Sequence, residues 1–370
     1  MRAARPPWAS APKEAKSNAE GGEIDTSDRF GYPVPSKHTG MPKMDGTRVY
    51  SGRRNLLRAG LVVAASQLSG KSFAQAYPAK PIRLVVPYPP GGTTDIVARS
   101  FGELLGRELG QQIVIENRPG AATHIGTESV IRAATDGYTL LIGTSGLATN
   151  FATGPVPPFD PHKTLTPISQ INEMAYVVCA NPKTPFSNVR ELIAAARAAP
   201  GRLTLGSASL EYVAKLLNAQ SGIDLLHVPY KGGAAAMTDA MAGQIDMAIA
   251  LVPVMLPQIR AGKLKAIGVT SERRVGVLPE VTTFIETGES RYKVLSWYAL
   301  HGPAGLPAEV VRRLSEASRK VLTDPEFVQK QRAIGSELAW STPEALGRLL
   351  RIDTEDALRS ARELGLSPAN

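Results

Sequence analysis

Three short stretches of this 370-residue sequence carry the small and hydroxyl-bearing residues from which an anion site is built. They are Pro87-Tyr88-Pro89-Pro90-Gly91-Gly92-Thr93-Thr94-Asp95, Gly206-Ser207-Ala208-Ser209, and Pro229-Tyr230-Lys231-Gly232-Gly233-Ala234. Each leads from a β-rich run into a helical pattern. The first N–H groups of a helix lack intrahelical partners and sit at the positive end of its dipole, so such a turn favours an anion. Glycine lets a ligand come close to the backbone there. Gly-rich strand-to-helix turns are also common as plain structure, and no one loop decides between the two readings.

Patterns for covalent or metal chemistry are poor. Gly-x-Ser-x-Gly is absent, and the histidines (His38, His124, His162, His227, His301) show no His-x-x-x-His spacing. Ser69-Gly70-Lys71-Ser72 resembles the end of a phosphate loop, but Ala65 stands where its leading glycine belongs and no strand precedes it. Gly91-Gly92 lacks the third glycine of a dinucleotide fingerprint. Cys179 is the sole cysteine, which excludes an intramolecular disulfide; within Ala175-Tyr176-Val177-Val178-Cys179 it reads as a small buried hydrophobe. The sequence gives no reason to expect a metal or a cofactor.

The elements that position these loops alternate. Ile82-Arg83-Leu84-Val85-Val86 is a strand, Val97, Phe101, Leu104, Leu105 and Leu109 recur at helical spacing, and Gly110 closes that helix. Ile113-Val114-Ile115 and Tyr138-Thr139-Leu140-Leu141-Ile142 are further strands, with a helix over about residues 126–134 between them. The pattern recurs downstream: a helix after a candidate N-cap at Ser187, strands at 203–205 and 225–228 each followed by a helix, at 212–221 and 234–241, and further strands at 245–249 and 265–269. This order predicts an α/β fold of mainly parallel sheets flanked by helices, with ligands bound beyond the carboxyl ends of the strands. The length fits about two domains of ~100–200 residues each.

Charge is unevenly placed. The formal net charge is +9, yet residues 1–76 hold 12 Lys/Arg against 6 Asp/Glu and the rest 30 against 27. The basic balance belongs largely to the leader, so a nucleic-acid partner is not expected. Residues 1–50 read either as a disordered extension or as an upstream stretch that is not translated, with Met41 and Met44 as alternative starts. Residues 51–76 combine Arg53-Arg54-Asn55-Leu56-Leu57-Arg58, a mildly apolar stretch and Ala74-Gln75-Ala76, the three parts of an export signal. The paired arginines resemble a twin-arginine signal, which predicts a mature chain starting near Tyr77 in the periplasm.

The block Lys80-Pro81-Ile82-Arg83-Leu84-Val85-Val86-Pro87-Tyr88-Pro89-Pro90-Gly91-Gly92-Thr93-Thr94-Asp95 resembles the substrate-binding proteins of tripartite tricarboxylate transporters, the Bordetella uptake gene family. So do Val114-Ile115-Glu116-Asn117-Arg118-Pro119-Gly120-Ala121, Asp136-Gly137-Tyr138-Thr139-Leu140, Val228-Pro229-Tyr230-Lys231-Gly232-Gly233, Leu278-Pro279-Glu280-Val281-Thr282-Thr283 and Pro303-Ala304-Gly305-Leu306-Pro307. These motifs, in order, span almost all of residues 77–370.

The resemblance implies a type II periplasmic binding fold with a ligand cleft between two lobes: residues 77–175 with 299–370, and residues 176–298. Crossings are expected near residues 175–178 and 297–300. It implies a small carboxylate ligand held by the loops at Gly91 and Gly206, partly through ordered water. Carried onto this sequence, the site residues are Tyr88, Gly91, Gly92, Thr93, Thr94, Asp95, Thr144, Ser207, Ala208, Ser209 and Tyr230. Asp95 either favours the start of its helix or reads a ligand amino group. Where the family carries further glycine and a helical histidine, this chain has Leu210-Glu211-Tyr212. The implied partners are the large and small integral membrane subunits of a transporter, and the implied state is a monomer. Two other readings compete: a receptor that reports occupancy to a membrane sensor, and an exported enzyme acting on carboxylic acids.

Overall fold

The computed structural model describes residues 77–153, 158–208, 211–230, 232–289 and 292–366; the leader and its export signal lie outside them. The first lobe opens with three parallel strands, β1 (Ile82–Val86), β2 (Ile113–Asn117) and β3 (Thr139–Thr144), in the order β2-β1-β3. Helix α1 (Thr93–Leu109) follows β1, α2 (His124–Ile131) follows β2 and α3 (Gly146–Thr153) follows β3.

Helix α1 forms where the sequence period places it. Val97, Phe101, Leu105 and Leu109 are buried on the sheet, and Gly110 ends the helix in the left-handed region, φ 68°, with its N–H on the carbonyls of Arg107 and Gly106. Gly106 permits the close approach to β2, because a Cβ there would lie 2.9 Å from the Gln111 carbonyl oxygen. Burying a side chain such as Phe101 contributes roughly 1.5–3 kcal/mol.

The chain then passes through the short helix α4 (Pro161–Thr164) into β4 (Leu165–Ala180), a strand of 16 residues that serves both lobes. Up to Ala175 it pairs antiparallel with β9 (Leu295–Pro303); from Tyr176 it pairs with β7 (Met247–Leu251) and β8 (Lys265–Val269). The second lobe adds the parallel strands β5 (Thr204–Ala208) and β6 (Leu226–Tyr230) in the order β7-β5-β6. Its helices are α5 (Val189–Ala198), α6 (Glu211–Ser221), α7 (Gly233–Ala242) and α8 (Val252–Arg260). Helix α5 is capped one residue later than the sequence indicated. The Asn188 side chain accepts from the Glu191 N–H at 3.0 Å, while Glu191 reaches back to the Ser187 N–H at 2.7 Å.

Residues 297–300, where the sequence placed the second crossing, pair with β3 and β4 on the first sheet. The change of sheet comes just before them, at Val294, whose N–H reaches the Thr270 carbonyl at 3.0 Å. Local sequence does not reveal this, because a crossing residue and a strand residue are both apolar and extended. Helices α9 (Ala308–Leu322), α10 (Pro325–Ala333) and α11 (Pro343–Glu363) complete the chain. One apolar core lies around Phe101, Leu140, Ile142 and Leu314, and another around Val178, Leu192, Leu217 and Ile249. Among the described residues no helix is long and apolar enough to cross a membrane.

Candidate functional site

A cleft of about 450 Å³ opens at the carboxyl ends of β1, β2 and β3 and is closed on its far side by Tyr176, Leu251, Ser296 and Tyr298 from the strands around the lobe junction. The starts of three helices converge on it, at Thr94, Thr123 and Gly146. Strands of one parallel sheet all end on the same edge, so their following helices all begin there.

Gly91 and Gly92 make the first helix start. Gly91 adopts φ +79°, which favours glycine, and Gly92 is the N-cap of α1 with no side-chain cap. The N–H groups of Thr93 and Thr94 therefore have no intrahelical acceptor. Gly91 and Gly92 are exposed, Thr93 is half-buried and Thr94 is buried.

Asp95 stands behind this loop, 4% exposed. Its Oδ2 accepts from the Gly91 N–H at 3.0 Å and from Arg99 Nε at 2.9 Å, and its Oδ1 accepts from Asn117 Nδ2 at 3.0 Å. Asn117 also donates to the Tyr88 carbonyl at 3.1 Å, so one carboxylate ties the ends of β1 and β2 to the loop. The Arg99 hydrogen bond, with those from Gly91 and Asn117, holds the Asp95 carboxyl down at about 2.

The second cluster surrounds Gly146. Tyr88 Oη and Thr144 Oγ1 are 2.9 Å apart, and Thr144 Oγ1 accepts from the Gly146 N–H at 3.1 Å. A Cβ on Gly146 would stand 2.9 Å from Tyr88 Oη, 3.0 Å from Thr144 Oγ1 and 3.4 Å from Asn150 Nδ2, so three polar groups crowd one point that only glycine leaves open. Two hydroxyls that share one hydrogen bond have one hydrogen left over, whichever donates. That hydrogen is available to a ligand.

The third element is strained. Ala121, Ala122 and Thr123 have φ of 45°, 50° and 81°, three successive residues in the region that glycine prefers. The arrangement costs of order 1–3 kcal/mol per residue and is held by Asn150 Nδ2 on the Ala122 carbonyl at 2.9 Å. It brings the start of α2 to the cleft without a side-chain cap.

The floor is aromatic and neutral. Ser296 lies beside the phenols of both Tyr176 and Tyr298, and Thr94 beside that of Tyr298, and each partly offsets the upward push of burial. Burial pushes Tyr176 up to about 12 and moves Tyr88 and Tyr298 the same way. No ionisable side chain other than these tyrosines lines the cleft among the described residues. Carboxylate affinity is therefore expected to stay flat between about pH 7 and 9 and to fall only as the ligand's own carboxyl protonates. Calorimetry across that range checks it. A drop at alkaline pH would mean that a lining phenol ionises.

The structure thus gathers Tyr88, Thr94 and Thr144 in one cleft, with Gly91, Gly92 and Thr93 on the adjoining turn and Asp95 behind it. The second-lobe residues do not line it. Ser207 is fully buried with Oγ 2.7 Å from His227 Nε2, and Tyr230 Oη donates to Asp239 Oδ2 at 2.7 Å. Ser207 and His227 have the spacing of a nucleophile and its base, but Ser207 has no exposed surface. Ala208 ends β5, and Ser209 lies outside the described residues. Sequence reading missed Thr123, Gly146, Asn150, Tyr176, Ser296 and Tyr298. Gly143-Thr144-Ser145-Gly146 after a strand was the available signal for the second of these, but no local pattern joins tyrosines as far apart as Tyr176 and Tyr298.

Comparison with known proteins agrees with this architecture. The family described as tripartite tricarboxylate transporter family receptor matches residues 97–356. A UPF0065 protein from the tcbD-tcbE intergenic region of a Pseudomonas species is 35% identical over 310 residues, covering 82% of this chain and 92% of its own. An R. palustris protein solved with adipate is 30% identical with a TM-score of 0.73, over 79% of this chain and 100% of its own. The periplasmic binding protein BugD is 32% identical with a TM-score of 0.70, over 79% of this chain and 99% of its own. The chain belongs to the tripartite tricarboxylate transporter receptor family.

Proposed function

We propose that this protein captures a small carboxylate in the periplasm and delivers it to the large and small integral membrane subunits of a tripartite tricarboxylate-type transporter. The observation that carries the reading is the convergence of three helix starts and an unspent hydroxyl hydrogen on a cleft without charged side chains. Such a site stabilises one negative charge by fixed dipoles and neutral donors. The adipate bound to the R. palustris relative supports the same ligand chemistry. The lobes are residues 77–175 with the C-terminal segment, and the residues between, with the second junction near Val294. The protein acts as a monomer whose lobes close on the ligand, bringing the loops at Ser207 and Tyr230 over it.

Mass spectrometry of the small molecules that co-purify tests the reading. An organic acid released on denaturation is expected; a neutral or cationic molecule in its place would contradict it. Export is the second part of the proposal. Cleavage before Tyr77 is expected from Ala74-Gln75-Ala76, and Arg53→Lys with Arg54→Lys is expected to leave uncleaved protein in the cytoplasm. N-terminal sequencing of the periplasmic fraction checks this. Normal export of the double variant would overturn the twin-arginine route.

A further inference from the structure

We propose that the first lobe carries a second binding site, separate from the cleft, for a small hydroxy acid with an apolar body. Its carboxylate would lie by Arg348 and Arg351 at the mouth and its hydroxyl on the buried imidazole of His301. The site does not depend on the reading of the cleft given above.

A cavity of about 450 Å³ lies between α4, the start of β4, β9 and α11, and it shares no lining residue with the cleft. Pro161, Leu165, Pro167, Val311 and Leu350 give it apolar walls. About 150 Å³ of apolar cavity holds benzene, so a single ring with a short side chain has room here. His301, on β9, lines the cavity although it is only 1% exposed. Among the described residues neither of its ring nitrogens has a hydrogen-bond partner. A buried polar group left unpaired costs about 1–3 kcal/mol, and most such groups in folded proteins have a partner. The Nδ1–Cε1 edge of the ring lies on Gly143 of β3, where a Cβ would stand 2.6 Å from Nδ1 and 2.8 Å from Cε1. Nε2 belongs to the other edge and is the nitrogen we assign to the cavity.

The chemistry of the two ends differs. Burial holds the His301 imidazole down at about 4, with the Ala299 carbonyl offsetting this in part, so at neutral pH the ring is uncharged. A carboxylate pressed against an uncharged group at the base would lose its water without gaining a counter-charge. A hydroxyl suits that position better, because it donates and accepts and so pairs with Nε2 in either tautomer. The counter-charge is at the mouth. Arg348 and Arg351 are both exposed and, three residues apart on α11, are neighbours on one helix face. Arg348 lies within electrostatic reach of Glu344 and Arg351 of His162, but among the described residues neither arginine has a salt-bridge partner. Glu344 is the only acid on the described lining, so two guanidinium groups face one carboxylate.

Titration of the mature chain with 3-(4-hydroxyphenyl)propionate tests the proposal. Nitrogen–proton correlation spectra of the imidazoles report the base of the site, with His301 assigned through the backbone of labelled protein. The His301 signals are expected to shift and saturate. 3-Phenylpropionate lacks only the hydroxyl and is expected to bind there about tenfold more weakly, the loss of one hydrogen bond to a buried group. Arg348→Gln with Arg351→Gln is expected to weaken the hydroxy acid at this site by about tenfold or more. Both arginines are exposed, so the double variant is expected to fold. The cleft can take the same acid, and the double variant separates the two sites because it alters no residue of the cleft. A His301 response that keeps wild-type affinity in the double variant would come from the cleft and overturns the proposal. Equal affinity of the two acids at His301 overturns it as well. So do His301 signals that stay unmoved at millimolar hydroxy acid, which would leave a buried water as the partner of the imidazole.

Discussion

Gly92→Val is expected to abolish carboxylate binding while leaving the protein folded. Gly92 has φ −79° and ψ 170°, an extended conformation that valine adopts readily. A Cβ built there meets only the Pro89 carbonyl oxygen, at an ordinary 3.6 Å. The cost to folding is therefore that of a poorer N-cap, about 1 kcal/mol. The cost to binding is larger, because the branched side chain stands over the N–H groups of the first turn. Two charge-assisted hydrogen bonds at about 1.5–3 kcal/mol each correspond to a loss of roughly a hundredfold or more. Gly91→Val is the instructive contrast. Nothing crowds a Cβ at Gly91, but its φ of +79° places valine in a strained region, so this variant is expected to lose stability first. Calorimetry and thermal unfolding of the two variants separate these effects. Full affinity in Gly92→Val would mean that the ligand does not approach the start of α1.

Asp95→Asn is expected to lower stability and to weaken all carboxylate ligands alike. The three donors on Asp95 all point at oxygen. Asparagine replaces one oxygen by an N–H donor, so either Asn117 or the Gly91–Arg99 pair faces a donor. Leaving a buried partner unsatisfied costs about 1–3 kcal/mol. The contribution has a defined pH window. Asp95 is held at about 2 in the folded chain, below its ordinary 3.8, so its stabilisation is fully present above pH 3.8 and is lost as pH falls through about 2. Variant and wild type are expected to differ in unfolding at neutral pH and to converge near pH 2. The binding arm settles what the sequence left open. With its oxygens committed to Gly91, Arg99 and Asn117, Asp95 has no reason to read a ligand amino group. Selective loss of amino-acid binding, with dicarboxylates untouched, would contradict that.

The division between what was legible in the sequence and what was not follows the range of the signals. Strand β1 and helix α1 were readable because buried positions recur at a fixed period, and Gly91-Gly92 because a turn into a helix has local chemistry. The role of Asp95 was readable only as a pair of alternatives. Its spacing of four from both Gly91 and Arg99 allows the contacts but does not show that Asn117, on another strand, completes them. The phenol floor was illegible for a plainer reason: Tyr88, Tyr176 and Tyr298 come together only because β9 lies between β3 and β4 and β4 passes on to β7 at the lobe junction. The second-lobe hydroxyls add a contact that was not legible: Ser207 and Tyr230 each have a partner within their own lobe, His227 and Asp239, which residue type alone does not reveal.

The central claim is that the cleft binds a carboxylate through neutral donors and helix starts. Calorimetric titration of the mature protein with the acid that co-purifies, and then with its amide, tests it most directly. The two differ in charge and little else, so the amide loses the dipole and charge-assisted terms while keeping the shape. The expected result is tight binding of the acid and a loss of about a hundredfold or more for the amide, abolished for both by Gly92→Val. Equal affinity for acid and amide would contradict the account.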